Sequence, residues 1–485
     1  MNPGYAGRQE LPENLKALFR GMMMMVPNFE TIMAVKLCSQ GYDKYIMLAT
    51  KFFQLYDTCK QQLSKQRHYD WGLRNILSVL RTAGSTKRTL INPADFSLPK
   101  GKHEEILLFQ TLRDMNLSKM VAQDVPLFLS LLQDLFPKEE PPTKASYPDL
   151  FAQLPTSIAK FEKVYHDDWV LKIVQLFETS RVRHGIMLVG PSGGGKSNIS
   201  NILMDALITV NKSNYKMPRM NPKAVKPQEM YGMTDPQSQE WVTGVFAAIW
   251  ARANTKGNPF FTWIMMDGPV DAIWIEDLNT VLDDNKILTL ANGDRMPMTD
   301  MCKIMFEVET LKNASPATVS RAGIIYCSDT DLDWGPVAEG IIRLRPENQR
   351  ATLRAVVEKY MGNSDPLFPG ILFNYIIRNL KPTQESDRVG LICSAFDLLS
   401  GLIDNHGDAA PPVKLVKDSE EELAKQLERV FLYSVAWGVT GLLDSEDRAK
   451  LDGWLRGIDD TFMPTCGANE TIFEYFLDES ANWAP

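Results

Sequence analysis

The sequence predicts an α/β core built on a parallel sheet and flanked by two helical regions. Three observations predict it. From about residue 165 the chain alternates helix patterns, short apolar runs and glycine-rich turns, the order in which a parallel sheet is laid down. The apolar run Ile186, Met187, Leu188, Val189 passes straight into "GPSGGGKS", a tight turn opening a helix. On either side of that core, residues 28–85 and those after 337 repeat apolar positions at spacings of three and four, the helical period.

The bulk numbers narrow the function classes. A chain of 485 residues exceeds one ordinary core, and its length predicts about three compact units. With 44% hydrophobic and 23% charged residues, it reads as a soluble globular protein. A formal charge of −8 argues against nucleic acid as a partner. No run approaches the roughly 18 apolar residues of a membrane span, so no membrane partner is expected. The start "MNPGYAGRQE" lacks the basic-then-apolar form of a secretory signal. Six cysteines without C-x-x-C spacing read as reduced thiols of a cytosolic protein, and five scattered histidines support no transition-metal site. The run Met22 to Met25 is read as adaptable core filling.

The elements follow in order. "TIMAVKLCSQ", "KFFQLYDTCKQQLSK" and "YDWGLRNILSVLRTAG" predict a small helical domain. A polar stretch at 84–102 separates it from two further amphipathic segments, "HEEILLFQTLRDMNLSKM" and "DVPLFLSLLQDLF". Residues 137–150, with four prolines, read as a linker. Buried strands are expected at 186–189, 261–267, 302–309 and 323–329. "KILTLANGDRMPM" reads as a hairpin, because Asn292-Gly293 suits the left-handed dihedrals of a tight turn. Helical patterns return from 337 to about 443.

Gly190, Pro191, Ser192, Gly193, Gly194, Gly195, Lys196 and Ser197 fit the phosphate-loop pattern G-x-x-x-x-G-K-S. Successive glycines let backbone N–H groups point inward at phosphate oxygens, and the following helix adds the positive end of its dipole. Lys196 is expected on the β and γ phosphates and the Ser197 hydroxyl on Mg²⁺. The plainer alternative is a glycine turn in which Ser192 or Ser197 caps a helix. Hydrolysis needs more: an acid on the metal side and a group to orient or deprotonate water. "FFTWIMMDG" supplies Asp267 at a strand end, suited to Mg²⁺, but the next residue is Gly268, which cannot accept a proton. Asp271 and Glu276 are the nearby candidates for a substitute base.

At this point a resemblance covers nearly the whole chain. "MNPGYAGRQELPENLKALFR", "HYDWGLRNILSVLRTAG", "MNPKAVKPQEMYGMTDPQSQEWVTGVFA", "DGPVDAIWIEDLNTVLDDNKILTLANGDR" and "ASPATVSRAGIIY" resemble the motor region of dynein heavy chains, with "GPSGGGKS" and "ELPENLKALFR" closer to axonemal than cytoplasmic chains. The resemblance implies a P-loop NTPase of the AAA+ class, an α/β nucleotide-binding core with helical lid subdomains. Residues 1–95 would be the C-terminal part and lid of a first AAA+ module, 96–150 connecting helices and linker, 151–340 the second module's core, and 341–485 its lid. It implies that Met1 is not a natural beginning. It also implies that Asn2 and Arg74 are the first module's sensor residues, with Arg20 in its arginine-finger region, and that Arg321 in "PATVSR" is an arginine finger offered in trans to the first module's nucleotide. The alternative for Arg321 is a helix-end arginine paired with a surface carboxylate.

Two further departures from a hydrolysing AAA+ module stand in the second module. Glu307 or Glu309 falls where a polar asparagine would sense the γ-phosphate, and a carboxylate there would repel it. Trp437 and Gly438 stand where an arginine would be expected. The expectation is therefore a site that binds ATP or ADP with Mg²⁺ and hydrolyses little or none, inside a parent motor that is an ATPase. By the same resemblance, the partners are the other AAA+ modules of the heavy chain, microtubules, and dynein light and intermediate chains, in the cytoskeleton of a cilium or flagellum axoneme. A slow ATPase using Asp271 or Glu276, and a P-loop scaffold kept only for protein contacts, are the competing readings.

Overall fold

A computed structural model describes residues 11–90, 102–137, 147–283, 285–362, 370–384, 386–405, 411–416, 419–467 and 470–485. The chain forms two compact units. One comprises Met1–Leu154, Trp169–Pro191 and Gly195–Ser328, the other Pro155–Asp168, Ser192–Gly194 and Asp329–Pro485.

After a single helical turn at Glu13–Lys16, the first unit contains helices α1 (Phe29–Ser39), α2 (Tyr45–Gln62), α3 (Leu73–Leu90), α4 (Lys102–Leu117) and α5 (Val125–Leu135). Their apolar faces meet in a core that includes Leu37, Leu48, Phe52, Ile76, Leu112 and Phe128. The Asn28 side chain accepts from the Thr31 N–H and starts α1, satisfying a donor the helix itself cannot. A buried ion pair locks α3 to α4. The Glu104 carboxylate accepts from Lys87 Nζ at 2.5 Å, and from the backbone N–H groups of Asp43 at 3.0 Å and Lys44 at 3.1 Å, where α2 begins. The methionine run departs from expectation. Met22 to Met25 lie in irregular chain ahead of α1 and are 84–92% exposed, so they fill no core among the described residues.

The α/β part of this unit follows as β1 (Gly185–Val189), α6 (Lys196–Asn211), β2 (Tyr215–Lys216), β3 (Arg219–Met220), β4 (Phe261–Asp267), β5 (Cys302–Val308), α7 (Pro316–Arg321) and β6 (Gly323–Tyr326). The sheet order is β6-β1-β5-β4-β2, with β3 also pairing β4, and every pair is parallel. β1 and β5 are buried almost end to end, which is why they read as near-continuous apolar runs. Register matters for the site: Leu188 stands opposite Glu307, and Glu307 opposite Asp267. The two carboxylates therefore lie side by side at the carboxyl end of the sheet, where ligands of open α/β sheets bind. The outer edge of β6 is covered. Tyr326 donates its N–H to Ser118 O at 2.8 Å, and Ser118 Oγ donates to Ile324 O at 3.2 Å, so the edge is not left open for pairing. The Asn292-Gly293 turn joins antiparallel strands Ile287–Thr289 and Arg295–Pro297, with Gly293 at φ +91°.

The second unit is helical: α8 (Trp334–Leu344), α9 (Glu347–Met361), α10 (Ile371–Asn379), α11 (Arg388–Ile403), α12 (Glu420–Gly438) and α13 (Ser445–Ile458). Asp333, Asp387, Ser419 and Asp444 cap four of these helices with their side chains. Leu353, Tyr360, Phe396, Leu427, Phe431 and Leu451 lie in its core. Gly438 has a packing reason: a Cβ there would lie 2.5 Å from Ala395 Cα, where α12 crosses α11. Trp437 packs edge-on against Phe473. Among the described residues no helix is long and apolar enough to cross a membrane.

Candidate nucleotide site

The loop between β1 and α6 is shaped by its glycines. Gly190 leaves β1 donating its N–H to Val308 O at 3.1 Å, and a Cβ on it would fall 2.0 Å from Cys327 O. Gly193 and Gly195 have φ of +81° and +72°, a region open to glycine at little cost. Gly195 is the N-cap of α6, and no side chain caps that helix. Neither Ser192 nor Ser197 plays the capping part that the plainer reading required. The first N–H groups of a 16-residue helix thus face the loop, with no acidic residue in its first turn to offset the dipole.

Lys196 folds back over the loop, donating from Nζ to Gly190 O at 2.8 Å and Pro191 O at 2.7 Å. Burial lowers its ammonium below the ordinary lysine value. Ser197 Oγ donates to Glu307 Oε2 at 2.6 Å, and Ser200 Oγ donates to Glu307 Oε1 at 3.2 Å. Of the two glutamates left open by the sequence, Glu307 is the one in the site. It is buried near the end of β5, whereas Glu309 is exposed beyond it.

Arg219, from β3, completes the cluster. Its Nη1 donates to Glu307 Oε2 at 2.8 Å and Asp267 Oδ2 at 2.9 Å, and its Nη2 donates to Glu307 Oε1 at 3.1 Å. Burial opposes the charge, yet the bonds to Glu307 and Asp267 raise the guanidinium above its ordinary value. Sequence reasoning missed Arg219 and Ser200. The available signal was Glu307 itself, a carboxylate that directly follows the apolar run Ile304, Met305, Phe306 and needs a cation.

Ser197 and Asp267 present the hard oxygen donors that magnesium takes, and the Ser197 hydroxyl and half-exposed Asp267 are accessible, so these two residues fit that ion. Gly268 has a steric reason to be glycine. A Cβ there would lie 2.6 Å from Asn221 Oδ1, and Asn221 caps the turn Pro222–Ala224. Of the candidate substitute bases, Asp271 pairs with Lys223 at 3.3 Å, and Glu276 opens the 3-10 turn Glu276–Leu278.

Arg321 ends α7, away from this cluster in sequence and bonding. Its Nε donates to Asp283 Oδ2 at 3.3 Å and its Nη1 to Asn279 Oδ1 at 3.1 Å. Arg74, at the start of α3, donates from Nη1 to Ser320 Oγ at 3.3 Å, which brings the two arginines to the same helix end. Arg20 is exposed ahead of α1, and Asn2 lies outside the described residues.

Three family models match the chain. Residues 1–197 match the "hydrolytic ATP binding site of dynein motor region", 185–322 an "AAA domain (dynein-related subfamily)", and 367–485 the "dynein heavy chain AAA lid domain". Among the relatives, the chain is 46% identical over 484 residues to the dynein gamma chain of the flagellar outer arm of Chlamydomonas reinhardtii. It is 43% identical over 486 residues to dynein axonemal heavy chain 5 of Mus musculus, and 42% identical over 493 residues to dynein axonemal heavy chain 8 of Homo sapiens. The chain belongs to the dynein heavy-chain family. Each of these alignments takes in 100% of the chain but 10% of the relative's length, so the chain spans about a tenth of those dyneins.

The fold is accordingly the AAA+ one expected from the sequence, a P-loop core on a parallel sheet with a helical lid. The matched segments are ATP-binding AAA domains of the dynein motor region.

Proposed function

We propose that Gly190–Ser197 holds ATP in the second AAA+ module and hydrolyses little or none of it, while Arg321 serves as an arginine finger for the first module's site. The observation that carries the first half is the uncapped N-terminus of α6 behind three glycine-shaped turns, with Lys196 across the loop. Such an N-terminus binds phosphate through its N–H groups and dipole. Ser197 and Asp267 would hold magnesium, which supplies charge neutralisation between the β and γ phosphates.

Poor hydrolysis follows from what surrounds Asp267. Gly268 offers no proton acceptor, and Asn221 occupies the space a side chain would enter. Asp271 is paired with Lys223. A nucleotide that stays bound makes the second module a stiff element passing movement from the first site around the ring. The arginine-finger half is supported by Arg74 and Arg321 meeting at the end of α7, where a sensor and a finger would share one nucleotide.

In this reading the chain divides into the first module's end and lid (1–95), connecting helices (96–150), the second core (151–340) and its lid (341–485). The parent motor hydrolyses ATP and moves on microtubules in the axoneme of a cilium or flagellum, with light and intermediate chains as partners. Calorimetric titration of ATP with magnesium into the 485-residue chain tests the nucleotide site. The wild type is expected to bind and Lys196→Ala to lose at least tenfold in affinity. Equal binding by both would place the nucleotide elsewhere.

A further inference from the structure

Glu307 is the anomaly of the sheet. It follows the apolar run Ile304, Met305, Phe306 near the end of β5, its side chain is 4% exposed, and it stands beside Asp267 in register. An ionised carboxylate at such a position persists only when paired and fully hydrogen-bonded. Its two oxygens accept four side-chain bonds, from Ser197 and Ser200 and from both arms of the Arg219 fork. Bidentate pairing of this kind is what a planar guanidinium does and an ammonium does not.

The position of this pair bears on the nucleotide. Glu307 lies 2.6 Å from the Ser197 hydroxyl, the group whose metal bridges the β and γ phosphates in a phosphate loop. A carboxylate so placed opposes the γ-phosphate unless a cation cancels it. Two acids, Asp267 and Glu307, and two cations, Lys196 and Arg219, bring the local charge to zero. Without Arg219 the cluster carries one net negative charge, nearest the place where a triphosphate differs from a diphosphate.

We propose that Arg219 is the residue that lets this site accept a triphosphate, cancelling Glu307 in cis so that the γ-phosphate is tolerated beside it. The inference rests on the reading of Gly190–Ser197 as an adenine-nucleotide site. It also reverses the expectation that the glutamate at this position repels the γ-phosphate, since Glu307 acts only as one half of a neutral pair.

The test measures dissociation constants for ATP and for ADP, both with magnesium, on the 485-residue chain. Arg219→Ala should weaken ATP at least tenfold and ADP less than threefold, a tenfold change being about 1.4 kcal/mol. Glu307→Gln should act in the opposite direction and tighten ATP. Combining Arg219→Met with Glu307→Gln removes both charges and should return ATP affinity to within threefold of wild type. The double variant also keeps the test open if Arg219→Ala alone fails to fold, because it leaves no buried charge unpaired; the unfolding midpoint without nucleotide identifies that case. Equal weakening of ATP and ADP by Arg219→Ala, or a double variant that folds and remains tenfold weak for ATP, overturns the proposal. A wild type that binds neither nucleotide overturns the site reading beneath it, an outcome distinct from binding with an unaltered preference in Arg219→Ala.

Discussion

Replacing Arg321 by alanine separates a finger from a structural arginine. In the chain, Arg321 has an ion pair to Asp283 at 3.3 Å and a hydrogen bond to Asn279 at 3.1 Å, with its own side chain 14% exposed and that of Asp283 37% exposed. A partly solvated pair of this kind contributes up to about 1 kcal/mol, and the amide bond about another 1 kcal/mol. Asn279 Oδ1 keeps a second donor, Thr318 Oγ1 at 3.2 Å, so no buried acceptor is orphaned. The expected loss of stability is therefore about 1–2 kcal/mol, read by urea unfolding of the 485-residue chain. An arginine finger removed from a phosphoryl-transfer site lowers turnover by ~10³-fold or more, about 4 kcal/mol of barrier. In the full heavy chain, Arg321→Ala should thus abolish most microtubule-stimulated ATPase while the ring stays folded, and Arg321→Lys should rescue little of it. Turnover reduced less than tenfold, or lost only in step with the folded fraction, would make Arg321 a helix-end arginine paired with Asp283 and nothing more.

Three further expectations concern the frame around the site. Glu104→Ala leaves Lys87 buried without its carboxylate and two N–H groups of the α2 start unsatisfied, and should destabilise the first unit by about 3–5 kcal/mol in urea unfolding. Gly268→Ala drives a Cβ toward Asn221 and should lower stability by about 1 kcal/mol through the displaced cap, an effect that Asn221→Gly should relieve in the same assay. In the second unit, the Lys359 bond, with help from Thr461, lowers the Asp459 carboxyl from 3.8 to about 2. A carboxyl lowered on folding stabilises fully above its unfolded value and loses that contribution as pH falls toward its folded value. Wild type should therefore exceed Asp459→Asn by about 1 kcal/mol at neutral pH, after solvent screening of this 22%-exposed group, and the gap should close between pH 4 and 2.

Much of the architecture was legible because the signals are local. The strand at 261–267 is an apolar run with clear ends, the run at 186–189 starts one residue after the strand does, and those at 302–309 and 323–329 end one to three residues too late. Asn292-Gly293 announced its hairpin through the dihedrals a tight turn needs. The loop at 190–197 declared itself by glycines in fixed positions before Lys196. What was not legible depends on distance. Arg219 lies in a two-residue strand, too short for any period to show, and only its pairing with β4 carries it to Glu307 and Asp267. Glu307 and Glu309 share one strand parity, so the choice between them waited on where β5 ends. Gly268 read as a missing base, yet Asn221, 47 positions upstream, shows why a side chain does not fit there. Met22 to Met25 read as core because methionine is apolar, but hydrophobicity alone does not supply a partner surface.

The most direct test of a holding site is a single-turnover measurement on the 485-residue chain at substoichiometric radiolabelled ATP with magnesium, followed by acid quench and separation of ATP from ADP. Label bound to the wild type is expected to remain ATP over many minutes, and Lys196→Ala to retain at most about a tenth as much. Stoichiometric conversion to ADP and phosphate by the wild type, lost in Lys196→Ala, would contradict it and return Asp271 and Glu276 to consideration as bases.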